Sequence, residues 1–402
     1  MNKQIAVALE KTKDLFKGLD EIALHNQQKV IEAFRENQVA LRHFNGTSGY
    51  GSDDVGRDNL NRVLATIFGA EEAIASPLIS SGTHAITLAL FGVLRPNDVV
   101  LSVCGQPYDT LQDAIYKEGI GSLRDFGIKF DTIDLIDGDF DYNQIEKYFV
   151  KNHVKMVYIQ RSRGYAWRPA LSIDQIDKLC KFVKKNAPNT VIFCDNCYGE
   201  FVEKREPTDV GVDLCAGSFI KNIGGGIAPT GGYIVGRSKL VDLVAGRLTA
   251  PSIGTEVGSY QSGYRLFYQG IFMAPHVVNQ ALKTTTLFSC ALSDRGYDVT
   301  PKPGDHLGDI VCSIRLNDAD KAVNFCQAIQ SVSPVDNFVK LEPWDQPGYN
   351  DKVIMAAGCF VQGASIELSC DGPIRPPYTV YLQGGLTLEH GIIALEQVLN
   401  NL

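Results

Sequence analysis

Ala216-Gly217-Ser218-Phe219-Ile220-Lys221-Asn222-Ile223-Gly224-Gly225-Gly226 is a short apolar run that ends in one lysine and falls into three glycines. Lysine is costly to bury, so a lysine closing a buried run is either a satisfied structural cation or a chemical group. Desolvation lowers an amine's pKa and lets it form a Schiff base with a carbonyl. Three glycines let the backbone approach a neighbour closely or take left-handed turns. Upstream, Val191-Ile192-Phe193-Cys194-Asp195-Asn196 is a second strand-like run, and it ends in a carboxylate.

Around these two run ends the chain alternates. Strand-like runs over 98–103, 130–135, 155–160, 190–194, 214–220 and 232–235 interleave with helical patterns over 57–69, 80–90, 108–117, 142–151 and 172–186. That rhythm implies an α/β fold with a mostly parallel sheet covered on both faces. In such sheets ligands bind beyond the carboxyl ends of the strands. Residues 1–44 read as an N-terminal helical arm, with apolar positions at Leu15, Leu19, Ile22, Val30, Ile31 and Phe34, and 45–250 read as the large domain. After Ala250 the pattern changes. A long helix is expected from about Ala274 to Arg295, strands over 309–316 and 354–369, and helices over 319–330 and 387–400, so 251–402 reads as a smaller C-terminal α/β domain.

Composition removes several classes. Of 402 residues, 38 are Lys or Arg and 46 are Asp or Glu, a formal charge of −8, so no basic field attracts nucleic acid or an anionic membrane. No apolar run approaches the ~18 residues of a membrane span. The run Ile5 to Leu9 is cut off by Glu10 and does not read as a signal peptide. Ten cysteines are scattered through strand and helix patterns, as reduced thiols in a cytoplasmic protein are. Cys194 and Cys197 have C-x-x-C spacing, but no second pair or nearby histidine completes a metal site.

Each candidate group is open to two readings. Ser81-Gly82-Thr83 is an ordinary helix cap or an anion cradle. Tyr108 is loop packing or a stacking ring. Asp195 is a turn former or a carboxylate that holds a heteroaromatic nitrogen protonated, and Lys221 pairs with a surface acid or carries a Schiff base. Together they match the needs of pyridoxal phosphate: an anion cradle, a ring to stack on, a carboxylate at the pyridine nitrogen and a lysine.

At these residues the sequence resembles the fold type I pyridoxal-phosphate enzymes of the cysteine/methionine metabolism branch, which includes cystathionine lyases and methionine gamma-lyase. Ser81-Gly82-Thr83 stands at the family's phosphate turn, Tyr108 at its stacking tyrosine, Asp195-Asn196 at its Asp-Asn pair and Ser218-Phe219-Ile220-Lys221 at its Ser-x-x-Lys. More narrowly, Gly-Tyr-Gly ahead of Asp53-Asp54-Val55-Gly56-Arg57-Asp58, together with Asp371 to Tyr378, is similar to a bacterial subgroup labelled aluminium-resistance or methionine gamma-lyase-like. The resemblance implies a large domain with a seven-stranded, mostly parallel sheet. It implies pyridoxal 5'-phosphate held as an aldimine on Lys221, with Ser81, Gly82, Thr83, Tyr108, Asp195 and Ser218 around it. It also implies a carbon–sulfur lyase that removes an alpha proton and eliminates a thiolate from the beta or gamma carbon of an amino acid. The other readings are an aminotransferase or aldol-type cleavage on the same scaffold, a cofactor-binding protein with little turnover, and a nucleotide-binding protein using Gly224-Gly225-Gly226 as a phosphate loop.

Two departures stand out. The family's Tyr-x-Arg near Tyr50 becomes Tyr50-Gly51-Ser52, leaving Tyr50 as a catalytic and substrate-binding candidate that reaches across a homodimer or homotetramer interface. The missing arginine contact falls to another residue such as Arg57. Arg161-Ser162-Arg163 replaces the family's Asn-Pro turn, and both arginines contact substrate or cofactor or lie exposed. Arg375, stiffened by two following prolines, is the candidate for the substrate carboxylate.

Overall fold

A computed structural model describes residues 2–346 and 349–402. Among the described residues seven strands form the larger sheet: β1 Glu72–Ser76, β2 Val99–Ser102, β3 Lys129–Thr132, β4 Met156–Gln160, β5 Val191–Asp195, β6 Leu214–Ser218 and β7 Gly232–Gly236. Their spatial order is β1-β7-β6-β5-β4-β2-β3. Strand β7 runs against both neighbours, and the pairs β6–β5, β5–β4, β4–β2 and β2–β3 are parallel. Strands β4 and β6 are buried along their whole length, as an apolar run without polar alternation requires. In register, Gln160 faces Asp195 and Asp195 faces Ala216, so the carboxyl ends of β4, β5 and β6 open on one edge.

The helices between these strands carry their own start signals. Ser172 caps Ile173–Asn186 and forms a reciprocal capping box with Gln175. Asp141 and Ser81 cap Tyr142–Lys151 and Gly82–Val93 through their side chains. A second sheet, antiparallel, has the order β10-β11-β12-β9-β8. Its members are β8 Asp298–Thr300, β9 Val311–Arg315, β10 Val353–Ala356, β11 Ser369–Pro373 and β12 Thr379–Gln383.

Several elements differ from the sequence reading. The edge strand β1 and the helix Ser238–Leu248 give no strong periodic signal. Glu-Ala-Ile-Ala-Ser becomes a strand because it pairs with β7. The run 354–369 is no continuous strand. It breaks after Ala356, where Glu367 accepts hydrogen bonds from the Phe360 and Val361 amides, both at 2.9 Å, and folds the segment back. The long helix, expected from about Ala274, begins earlier and runs Arg265–Asp294, with Pro275 inside it.

This helix joins the two cores. Phe267, Ile271, Val278 and Leu282 belong to the core under the large sheet, and Leu287, Phe288 and Leu292 to the core under the second. The N-terminal helix Lys3–Glu36 does the same, with Leu19, Val30 and Ala33 in one core and Ile5 and Ala8 in the other. Leu15 and Ile31, two of the arm's apolar positions, are exposed. Asn26 anchors the helix by donating to the carbonyls of Phe201 and Glu203, both at 3.0 Å. All ten cysteines are free and buried, and no helix among the described residues is long and apolar enough to cross a membrane.

Candidate active site

Lys221 follows the carboxyl end of β6, and its position is set by how the chain leaves the strand. Phe219 is fully buried. A Cβ on Gly224 would lie 1.7 Å from the Phe219 carbonyl oxygen, and one on Gly225, at φ +56°, would lie 2.5 Å from the Gly270 carbonyl oxygen. These glycines let the turn fold onto its own strand and onto the long helix. Their open faces are filled by backbone, so the phosphate-loop reading of this triplet fails on packing.

The turn delivers Lys221 Nζ to 4.2 Å from the ring centre of Tyr198, itself held at φ +72°. For a residue other than glycine that backbone is strained, and here it aims a ring at the lysine. Asp195 ends β5, is 4% exposed, and accepts a 3.1 Å hydrogen bond from the Cys197 amide. Burial pushes its carboxyl above the usual range, while Lys221 pulls it back. Lys221 does not follow the desolvation expectation. Burial lowers it, but Cys197, Tyr198, Asp195 and Tyr108 together hold it well above its ordinary value. Cys197 and Tyr108 are themselves pushed up by burial and stay neutral at pH 7. Asp195 is therefore the anion beside the ammonium.

Ser81 caps the helix Gly82–Val93, its Oγ accepting from the His84 amide at 3.1 Å. The first-turn amides of that helix have no acceptor within it. A Cβ on Gly82 would sit 3.1 Å from Cys197 Sγ and 3.9 Å from Lys221 Nζ, filling the gap between cradle and lysine. Tyr108 shares a 2.8 Å hydrogen bond with Thr83 Oγ1, and its amide donates to Gln160 Oε1 at 2.9 Å. Ser218 is fully buried, with its Oγ accepting from the Ile220 amide at 3.3 Å.

These groups line one cavity of about 260 Å³. It contains an anion-binding helix end, a tyrosine, a buried carboxylate and an amine. The opening at Gly82, which any side chain would occupy, and the carboxylate facing the lysine fit pyridoxal phosphate. The far wall comes from residues that sequence reasoning missed: Tyr165, Tyr349, Asp371, Tyr381 and Gln383. Tyr165 follows β4, whereas Tyr349, Asp371, Tyr381 and Gln383 come from the second half of the chain, and only the docking of the second sheet brings them together here.

Other candidates lie elsewhere. Tyr50 is 81% exposed, and its carbonyl accepts from the Gly258 amide at 2.8 Å. Its loop is organised by Asp54, which caps the helix Val55–Ile67 and accepts from the Tyr264 hydroxyl at 3.0 Å. Arg57 is spent on that loop, donating to the Gly51 carbonyl and to Asp58, both at 2.9 Å. Arg375 does not line the Lys221 cavity. It pairs with Asp351 at 2.8 Å in an adjoining cavity that shares Asp109 and Tyr349 with the first.

Arg161 and Arg163 are neither surface residues nor cavity residues. Arg161 is fully buried and spends its guanidinium on Asn196 Oδ1, Glu203 Oε1 and the Gly199 and Leu171 carbonyls. Arg163 pairs with Asp309 at 3.2 Å and donates to the Thr300 carbonyl at 2.8 Å, tying the turn after β4 to the second sheet.

A sheet of this order with a lysine, a carboxylate and a helix end on one edge defines a pyridoxal-phosphate enzyme. The chain belongs to the methionine gamma-lyase family, whose model matches residues 1–402, and it is a pyridoxal-phosphate-dependent carbon–sulfur lyase. It is 47% identical to Bacillus subtilis YnbB over 94% of this chain and 90% of that protein. A carbon-sulfur lyase involved in aluminum resistance from Clostridium novyi NT is 48% identical over 99% of this chain and 94% of its own, with a TM-score of 0.95. The pyridoxal-5'-phosphate-dependent protein YhfS from Escherichia coli is 15% identical, with a TM-score of 0.65 over 96% of this chain and 97% of its own, a likeness of fold.

Proposed function

We propose that Lys221 is both the covalent anchor of pyridoxal phosphate and the group that takes the alpha proton from a sulfur-containing amino acid. The observation that carries this reading is the meeting of Lys221, Asp195 and the Ser81–Thr83 helix end on one cavity wall. When bound, the cofactor supplies an electron sink beside the substrate's alpha carbon. Asp195 would hold the ring nitrogen's proton, Tyr108 would cover a ring face, and the first-turn amides with Ser81, Thr83 and Ser218 would take the phosphate. With the Asp195 charge taken up by the ring nitrogen, Lys221 would be the amine that takes the proton from the alpha carbon. The alpha C–H and a beta or gamma C–S bond break, the proton passes to the sulfur, and one water is consumed. The products are a thiol, ammonium and a 2-oxo acid. Tyr108, whose phenol burial keeps neutral, contributes a hydrogen-bonding hydroxyl and not a base.

Arg375 takes the substrate carboxylate in this proposal by exchanging Asp351, since a pair this exposed is worth little. A homodimer or homotetramer completes the site. Among the described residues Lys221 is the one basic side chain on the cavity wall, which leaves the phosphate without a guanidinium from its own chain. Exposed Tyr50 adjoins the segment around Gly258, whose added Cβ would meet exposed Leu78 at 3.1 Å, a surface suited to a second copy.

The test is visible absorbance of the purified protein with borohydride and peptide mapping, followed by thioether amino acids with thiol and 2-oxo acid detection. A yellow protein that bleaches and carries the pyridoxyl label on Lys221 is expected. A label on any other lysine, or a protein that stays colourless with added pyridoxal phosphate, overturns the reading.

A further inference from the structure

The wall opposite Lys221 has an electrostatic character of its own. Asp371 lies on β11, faces the cavity and accepts hydrogen bonds from Gln383 Nε2, at 3.2 Å, and from the Tyr165 hydroxyl. Among the described residues no lysine, arginine or histidine pairs with it. Around it stand three aromatic rings. Tyr165 lies 4.9 Å from Tyr381 and 5.7 Å from Tyr349, at 32° and 40°, in one tilted stack. A carboxylate withdrawn from water without a partner is costly, and ring faces attract cations. The other carboxylates on this wall differ. Asp195 answers Lys221, and Asp109 feels Arg375 from the adjoining cavity. Asp371 feels Lys221 only from across the cavity and, among the described residues, makes no ion pair.

We infer that Asp371, with the Tyr165, Tyr349 and Tyr381 faces, selects substrates whose departing thiol carries a positive charge. The inference rests on the lyase reading above and names the chemistry of the leaving group. The same wall offers no cation to a second carboxylate, so a net positive leaving group fits better than a zwitterionic or anionic one.

Three near-isosteric probes decide it: S-(2-aminoethyl)-L-cysteine, S-propyl-L-cysteine and S-(2-carboxyethyl)-L-cysteine. For the holoenzyme, kcat/KM is measured from thiol release, and dissociation constants from visible-spectrum titration. The expected order is cationic over neutral over anionic, with the first step about tenfold, the worth of one charge-assisted contact. Asp371→Asn is expected to reduce the cationic-to-neutral ratio to about one. Equal handling of the three probes by the wild type, or an unchanged ratio in Asp371→Asn, overturns the inference. The wild-type ranking stands even where the variant fails to fold. If the probes bind but none releases thiol, the lyase reading fails, and the ranking of dissociation constants still decides the role of Asp371.

Discussion

Arg163→Met removes the guanidinium that ties the turn after β4 to the second sheet. Its Nε and Nη2 meet Asp309 at 3.3 and 3.2 Å, and Nη1 donates to the Thr300 carbonyl at 2.8 Å. The two side chains are 2% and 1% exposed. Removing one member of such a pair strands the other charge and costs about 3–5 kcal/mol. Asp309 keeps hydrogen bonds from Ser162 Oγ at 2.8 Å and the Val311 amide at 3.1 Å, which place the loss near the low end, ~3 kcal/mol. At roughly 2.1 cal/mol/K per residue the 402-residue chain unfolds with an entropy of about 0.8 kcal/mol/K, so the midpoint falls by about 4 °C. Thermal unfolding of the cofactor-loaded protein, followed by circular dichroism, measures it. The Arg163→Met/Asp309→Asn double variant should lose less than the sum of the singles, because each single strands a partner. A single variant within about 1 °C of wild type, yet with kcat/KM collapsed, would refute the interior-tie reasoning and make Arg163 a substrate contact.

Other expectations follow from the same geometry. Lys221→Ala should lose turnover by about 10³-fold or more and leave no borohydride-fixed label, read by mass spectrometry. Asp195→Asn should keep the label but lower kcat by on the order of 10²-fold, since the ring nitrogen loses its proton's partner, and an unchanged kcat would remove Asp195 from the site. Burial raises the Glu200 carboxyl to about 8. The folded protein thus binds a proton that the unfolded chain releases near its ordinary 4.5, and stability falls as pH rises from about 4.5 to 8. Glu200→Gln, which still accepts from the Tyr233 hydroxyl, should gain stability relative to wild type across that window and by several kcal/mol above it, checked by unfolding midpoints at pH 5 and 9. Gly224→Ala should open the Lys221 turn, lowering both the midpoint and the visible absorbance of the loaded protein, because its Cβ would meet the Phe219 oxygen at 1.7 Å.

The near wall of the site was legible in the sequence because each of its groups sits at the end of an element with a strong local signal. Apolar runs over 190–194 and 214–220 mark β5 and β6, and whatever follows a buried parallel strand emerges at the ligand edge. Ser81 carries its own cap signal, so the anion cradle was visible as well. Arg161 and Arg163 were not legible. An arginine pair next to serine and glycine looks solvated until the docking of the 300–309 segment supplies Asp309 and the Thr300 carbonyl.

By itself, then, the sequence determined the alternating fold, most of the strands of its larger sheet and the half of the site that sits at strand and helix ends, because short-range periodicity and caps dictate those. Tertiary structure alone decided the far half. Asp371, Tyr165, Tyr349 and Tyr381 meet only because the second sheet, whose β11 and β12 carry no continuous strand signal, packs over the edge of the first. It also decided the charge on Lys221. Burial alone lowers an amine, whereas the Asp195 carboxylate that the fold brings to the end of β5 favours the charged form of this one.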